Sequence, residues 1–277
     1  MTKRRKMTYI ITAIILIPIL LIALGYFYGS RHFIVKEQTI YFDNLPAEFD
    51  GYRIAQFSDF HALAFHCGHE EDVAEAVKLI NDQHCDLIAF TGDLVTMQAD
   101  ELNGFEDQLR LLSAPDGVVS IMGNHDYALY RRDFNTAQRL ADIRDLHRRQ
   151  RAFGWNLLLN DHTIIHRGND SIAIVGVEND GAARRFPSLG DLPRATKGIQ
   201  NGTFSILLSH DPTHWRRKVI PETDIDLTLS GHTHAGQFEI LGWSPVSFVY
   251  KEWSGIYTNE KTDKDGKIIT QTLNVSN

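Results

Sequence analysis

The chain of 277 residues has only two cysteines, Cys67 and Cys85, too few for a disulfide-built scaffold or a thiolate-rich metal cluster. It has no excess of positive charge. There are 28 Lys and Arg against 35 Asp and Glu, and this balance, spread along the chain, offers no groove to nucleic acid. No repeat, low-complexity tract or Pro/Gly/Ser linker divides the sequence beyond its first thirty residues, so the remaining roughly 245 residues read as one large α/β domain. Long apolar runs are absent with one exception, Met7 to Tyr28.

That run is uncharged and rich in Ile and Leu, and roughly 20 such residues suffice to cross the hydrocarbon core as a helix. The basic cluster Lys3-Arg4-Arg5-Lys6 precedes it. By the positive-inside rule the tail 1–6 stays in the cytoplasm, 7–29 spans the membrane, and 30–277 lies outside the cytoplasmic membrane. A cleaved signal peptide is the competing reading, with Ala23-Leu24-Gly25 as its small-residue site. The aromatics Tyr26-Phe27-Tyr28 look like an interfacial belt, and the run is long for a signal core, which favours an uncleaved anchor. Arg148-Arg149-Gln150-Arg151, with Arg131-Arg132 nearby, reads as a solvated helix face; facing anionic lipid headgroups is the minor alternative.

A bridge between Cys67 and Cys85 is the obvious suggestion for an extracytoplasmic domain. However, Val73, Ala76, Val77 and Ile80 recur at helical spacing within 71–82. A helix of that length separates its ends by roughly 15–20 Å, and a disulfide needs Cα atoms within about 7 Å. Two free thiols are expected.

Five short apolar runs each stop at a polar cluster. Arg53 to Ser58 leads to Asp59-Phe60-His61, and Asp86 to Phe90 leads to Thr91-Gly92-Asp93. Val118 to Met122 leads to Gly123-Asn124-His125-Asp126, and Phe204 to Leu208 to Ser209-His210-Asp211. Asp226 to Ser230 leads to Gly231-His232-Thr233-His234. Runs of this kind are strands, and in open α/β sheets ligands gather at the strands' carboxyl ends. In an extended backbone the i, i+2 spacing of His232 and His234 sends both imidazoles to one side. Any one cluster is an ordinary turn; five in register point to a shared rim. Carboxylate, amide and imidazole donors without thiolate suit a pair of divalent transition ions, Mn, Fe or Zn. Two such ions form a device for in-line displacement at phosphorus.

The ordered set Asp-x-His, Gly-Asp, Gly-Asn-His-Asp, His and Gly-His-x-His resembles the calcineurin-like metallophosphoesterases, from about Gln38 to Gly255. The stretches Phe49 to Asp59, Ser209-His210-Asp211-Pro212 and Gly231 to Gln237 look like the bacterial membrane-anchored phosphodiesterase branch. The resemblance implies a four-layer αββα sandwich of two mixed sheets. It implies one metal on Asp59, His61 and His234, a second on Asn124, His210 and His232, and Asp93 bridging. It further implies that a metal-bound hydroxide attacks a phosphoester, in this branch a phosphodiester, lipid-linked or otherwise extracytoplasmic. His125 then stabilises charge or protonates the leaving oxygen, and Asp126 orients its surroundings without binding metal. Two other readings stand beside this one: a pyrophosphate hydrolase of a nucleotide-linked lipid, and an idle metal-binding scaffold that grips phosphate. His66 and His69 match no motif and read as loop residues.

Two departures stand out. Phe60 replaces the family's usual leucine, a packing change only, and the glycines and final strand that follow Val-Ser in the family are absent after Ser276. The expected consequence is an exposed sheet edge. Substrate-shaping loops are expected in 128–155 and 180–200.

Overall fold

The computed structural model describes residues 3–27, 32–66, 68–237, 239, 242–262, 266 and 268–276. Two compact units emerge, 1–41 and 42–277. The first holds helix α1 (Lys3–Phe27), whose stretch Arg4–Ala23 has a mean hydropathy of 2.2 and is long and apolar enough to cross a membrane. Tyr28, at the end of the expected aromatic belt, lies outside the described residues, as does Cys67, on which the expectation of two free thiols depends; Cys85 Sγ lies 3.9 Å from the Gln83 carbonyl.

In the second unit, β1 (Ile54–Phe57), β2 (Leu87–Phe90), β3 (Val118–Ser120) and β4 (Asn156–Leu157) form a four-stranded sheet in that order, parallel at each pairing. Its strands are short apolar runs because both faces are covered. Ile88, Phe90 and Val118 pack with Val73 and Val77 of α2 (Glu70–Asn81), Leu109 of α3 (Glu106–Leu109) and Leu146 of α4 (Thr136–Ala152). Phe60 joins this layer, stacking on Phe65 at 4.8 Å.

The second sheet has six strands and is mixed. Its order is β5 (Asp161–Arg167), β6 (Asp170–Gly176), β7 (Ser205–Leu208), β8 (Leu227–Ser230), β10 (Ile268–Val275) and β9 (Gly255–Thr262). The outer pairs β5–β6 and β9–β10 are antiparallel and the inner ones parallel. The last described strand, β10, therefore lies inside the sheet, between β8 and β9, and β9 forms the margin on that side. Trp215, Val219, Leu192 and Ala195 pack on its outer face with Val175, Leu207 and Leu273.

The sheets face each other closely enough that a Cβ on Gly176 would lie 2.4 Å from Leu158 Cβ and 2.8 Å from Ile121 Cγ2. Gln56 of β1 ties them together at the rim. Its Nε2 donates to the Ser230 carbonyl at 2.8 Å and its Oε1 accepts from Asn274 Nδ2 at 2.8 Å. This joint sets the carboxyl ends of β1, β2 and β3 beside those of β7 and β8. Residues 128–155, expected as a loop, are mostly α4, begun by a reciprocal cap between Asn135 and Gln138. Within α4, Arg149 is not a solvated side chain. It is 12% exposed and pairs with Glu106 at 2.9 Å and Asp145 at 2.7 Å.

Candidate metal centre

The chain leaves each strand through a tight turn, and the ligand-type residues sit in those turns. Asp59, His61, Asp93, His232 and His234 have φ between 47° and 74°, the left-handed region that disfavours side chains. Backbone bonds hold them there: Asp59 N–H donates to the Gly92 carbonyl at 2.9 Å, and His61 N–H to the Asp93 carbonyl at 3.1 Å. Gly231 is required because a Cβ would lie 1.9 Å from Ser58 Oγ and 2.4 Å from Asp59 Oδ2. The two histidines of Gly-His-x-His do not lie in an extended strand, and they do not converge. His234 joins Asp59 and His61, whereas His232 joins Asp93 and His210.

Donor atoms lie close together. His61 Nε2 faces His234 Nε2 at 3.2 Å, and His232 Nδ1 faces His210 Nε2 at 3.2 Å. Asp93 Oδ2 lies 3.1 Å from His210 Nε2 and 3.8 Å from His61 Nε2, between the two groups. Asp59 Oδ1 is 3.1 Å from His234 Nε2. Asp59 Oδ1, with the His234 nitrogen near it, and Asn124 Oδ1 are among the buried side-chain atoms of the described residues that make no hydrogen bond. Buried oxygens of this kind are normally satisfied, so orphaned oxygens at a rim of imidazole nitrogens fit cation ligation. The donor set of carboxylate, amide and imidazole suits Mn, Fe or Zn.

Electrostatics agree. Burial by itself would lower His210, yet the Asp93 and Asp59 carboxylates outweigh it and push the imidazole up to about 10. Burial likewise works to raise Asp59 and Asp93, and the histidine partners hold both below the usual carboxylate range. The cluster stabilises positive charge. His61, mainly through burial, falls to about 4 and stays neutral, the form that ligates.

His125 stands beside the cluster. Its Nδ1 donates to the Thr96 carbonyl at 2.7 Å, its backbone N–H donates to Asp93 Oδ1 at 2.8 Å, and its ring stacks on Tyr130 at 4.1 Å. It also lies within ligand distance of His61 and Asp93. Asp126 is fully buried and touches no imidazole. Its Oδ1 accepts the N–H groups of Leu94 (2.8 Å) and Val95 (3.1 Å), and its Oδ2 those of Asp93 (2.9 Å) and Gly123 (2.8 Å). His66 Nε2 donates to the Glu101 carbonyl at 2.6 Å, with its ring against Phe105 and away from the ligands, and His69 precedes α2.

A cavity of about 340 Å³ opens over the cluster, lined by ligand side chains, His125, and three residues that no motif marked: Tyr130, Arg185 and Phe186. Tyr130 Oη accepts from Asn124 Nδ2 at 3.0 Å, which turns Asn124 Oδ1 the other way. Tyr250, also unmarked, meets His232 Nε2 at 2.9 Å. Burial is the main cause that pushes its phenol up to about 12. No local signal identifies these residues, which reach the site through tertiary folding of loops.

Comparison with known proteins agrees with this site. The model of the calcineurin-like phosphoesterase family matches residues 52–236. A protein of Bacillus subtilis (strain 168), the uncharacterized metallophosphoesterase YkuE, is 29% identical over 83% of this chain and 74% of its own length. The transmembrane protein with metallophosphoesterase domain of Danio rerio is 28% identical over 73% of this chain, and the match spans 45% of that protein. The solved structure of TT1561 from Thermus thermophilus superposes with a TM-score of 0.43 at 17% identity, over 79% of this chain and 98% of that one. With the family model covering all five strand ends and the ligand-type side chains gathered at one rim, the chain belongs to the calcineurin-like phosphoesterase family, and it is a metal-dependent phosphoester hydrolase.

Proposed function

We infer that the chain is a dinuclear phosphodiesterase acting outside the cytoplasmic membrane. The observation that carries this reading is the three carboxylate–imidazole groups linked through His61 and Asp93, with buried oxygens on Asp59 and Asn124 that make no hydrogen bond. Asp59, His61 and His234 would hold one ion, Asn124, His210 and His232 the other, and Asp93 both. Two bound divalent ions supply Lewis acidity at the phosphoryl oxygens and an activated water.

The protein's own groups do the rest. The Thr96 carbonyl fixes the proton on His125 Nδ1, so Nε2 is the ring atom left to face the leaving oxygen, and it gives up a proton there when the ring carries its second one. Tyr130, stacked on the ring, sets its plane. The Asp126 carboxylate gathers the amides of the Asp93 and Gly123 turns and so keeps Asp93 and Asn124 in place. The basic residues at the start of α1 favour a cytoplasmic N-terminus, which puts a lipid-linked or other extracytoplasmic phosphoester within reach.

The test is hydrolysis of an activated phosphodiester and the matching monoester by chelated protein, then by protein reloaded with Mn, Fe or Zn. Metal-dependent turnover, faster on the diester and lost in His125→Ala with metal content unchanged, is expected. A folded, loaded protein without turnover would instead be a phosphate-gripping scaffold. A C-terminal reporter active only in the cytoplasm would refute the orientation.

A further inference from the structure

The cavity over the cluster holds a cation that phosphoryl chemistry leaves unused. At about 340 Å³ it sits at the lower end of the range for sites that enclose a whole small molecule. Arg185 lines it as an exposed side chain, its guanidinium 4.8 Å from the Phe186 ring centroid. Among the described residues no carboxylate pairs with it. Arg149, Arg167, Arg216 and Arg217, by contrast, each have a carboxylate partner.

The loop that carries Arg185 is built to hold it. Asp180, fully buried, bonds Arg217 and takes Lys218 Nζ at 2.6 Å. Gly181 N–H donates to the Pro187 carbonyl at 3.3 Å, and Leu189 N–H to the Asn179 carbonyl at 2.9 Å. Ala182 N–H donates to Thr213 Oγ1 at 3.1 Å, and a Cβ on Gly181 would lie 2.7 Å from Asp211 Oδ2. With both ends of the loop stitched down, the backbone holds Arg185 at the mouth of the cavity.

We propose that Arg185 binds a second, uncleaved phosphate of the substrate, so that the site selects phosphoesters carrying a further phosphate beside the scissile one. A guanidinium presents a planar fork matched to phosphate oxygens, and the adjacent Phe186 ring lies 4.8 Å from it, within cation–π range. The oxygens of the scissile group are already served by the ligand cluster and His125. This inference rests on the phosphoesterase reading above.

The experiment uses the full chain in detergent micelles, loaded with Mn. Its two probes are a p-nitrophenyl alkyl phosphodiester and its analogue whose short alkyl chain ends in a phosphate, so the scissile bond and leaving group are shared. Wild type is expected to favour the analogue in kcat/KM by about tenfold or more, the range for a charge-assisted pair. Arg185→Ala and Arg185→Gln should remove that preference, Arg185→Lys should recover part of it, and Arg184→Ala, on the same loop but outside the cavity lining, should keep it. Equal rates on both probes in wild type, or a preference surviving in a folded Arg185→Ala or Arg185→Gln, would overturn the subsite while leaving the phosphoesterase reading intact. Equal loss in the Arg184 and Arg185 variants would also overturn it, showing a diffuse positive field. No turnover of either probe by folded wild type would sink the phosphoesterase reading, and the subsite with it.

Discussion

Replacing Asp126 by asparagine should loosen the centre without touching a metal ligand. Its carboxylate accepts four backbone N–H groups, two on each oxygen, from Asp93, Leu94, Val95 and Gly123. Asparagine keeps one oxygen and turns the other into an NH2 donor. Whichever way the amide turns, two buried N–H groups face a donor. Each costs about 1–3 kcal/mol when left unmade, so the pair costs about 2–6 kcal/mol. A domain's whole stability is about 5–15 kcal/mol. The loss bears on Asp93 in particular, whose φ of 60° needs outside support. The assay is the denaturant midpoint of chelated wild type and Asp126→Asn near about pH 8, where the carboxyl, pushed up to about 7 by burial and the Asp93 charge, is ionised. Metal content after reloading should fall in parallel. An unchanged midpoint with full metal content would refute this account of the turn.

Gly231→Ala should lose metal and activity together, because its Cβ would meet Ser58 and Asp59, whereas Gly104→Ala, with open space around it, should retain both at some cost in backbone strain; metal analysis beside a rate assay separates them. Tyr130→Phe keeps the ring on His125 but removes the acceptor for Asn124 Nδ2, and metal titration should show affinity falling by about 3- to 10-fold, the worth of one hydrogen bond. Tyr130→Ala should lower kcat further by freeing the His125 ring. Arg149→Met should lower the denaturant midpoint by the equivalent of about 1–2 kcal/mol, between the exposed and buried limits for ion pairs. Its turnover should be unchanged, and metal loss in that variant would contradict the separation of α4 from the centre.

The five strand ends were legible because two local signals coincide at each: an apolar run that only a doubly covered strand explains, and polar side chains at its carboxyl end. The rule that places ligands there depends on sheet topology, and the apolar runs carry that topology. The course of the chain beyond each strand was not legible. Alternation in an extended backbone puts His232 and His234 on one side, but φ of 74° and 49° sends them to different groups. Nothing in the spacing of two histidines distinguishes those outcomes, since the turn is imposed by contacts such as Asp59 Oδ2 accepting the His232 N–H at 2.9 Å. Helix α4 did carry a signal, the Asn135 and Gln138 cap at its start, beside the basic run already read as a helix face. Tyr130, Arg185 and Tyr250 carried none, because a single side chain on an irregular loop has no period to reveal it.

The left-handed turns also bear on how the centre works. Non-glycine residues in that region cost about 1–2 kcal/mol each, and five of the ligand-type residues adopt it. Amide–carbonyl bonds between neighbouring turns, the Asp126 carboxylate and the tight fit at Gly231 offset that strain, and none of these involves an ion. The ordering of the donor atoms is therefore a property of the fold itself. The donor nitrogens and oxygens lie 3.1–3.8 Å from their nearest partners, close enough for one ion to be shared by each group. Such a centre should bind metal with the loop geometry unchanged, and its affinity should follow the integrity of the supporting turns as closely as that of the ligands.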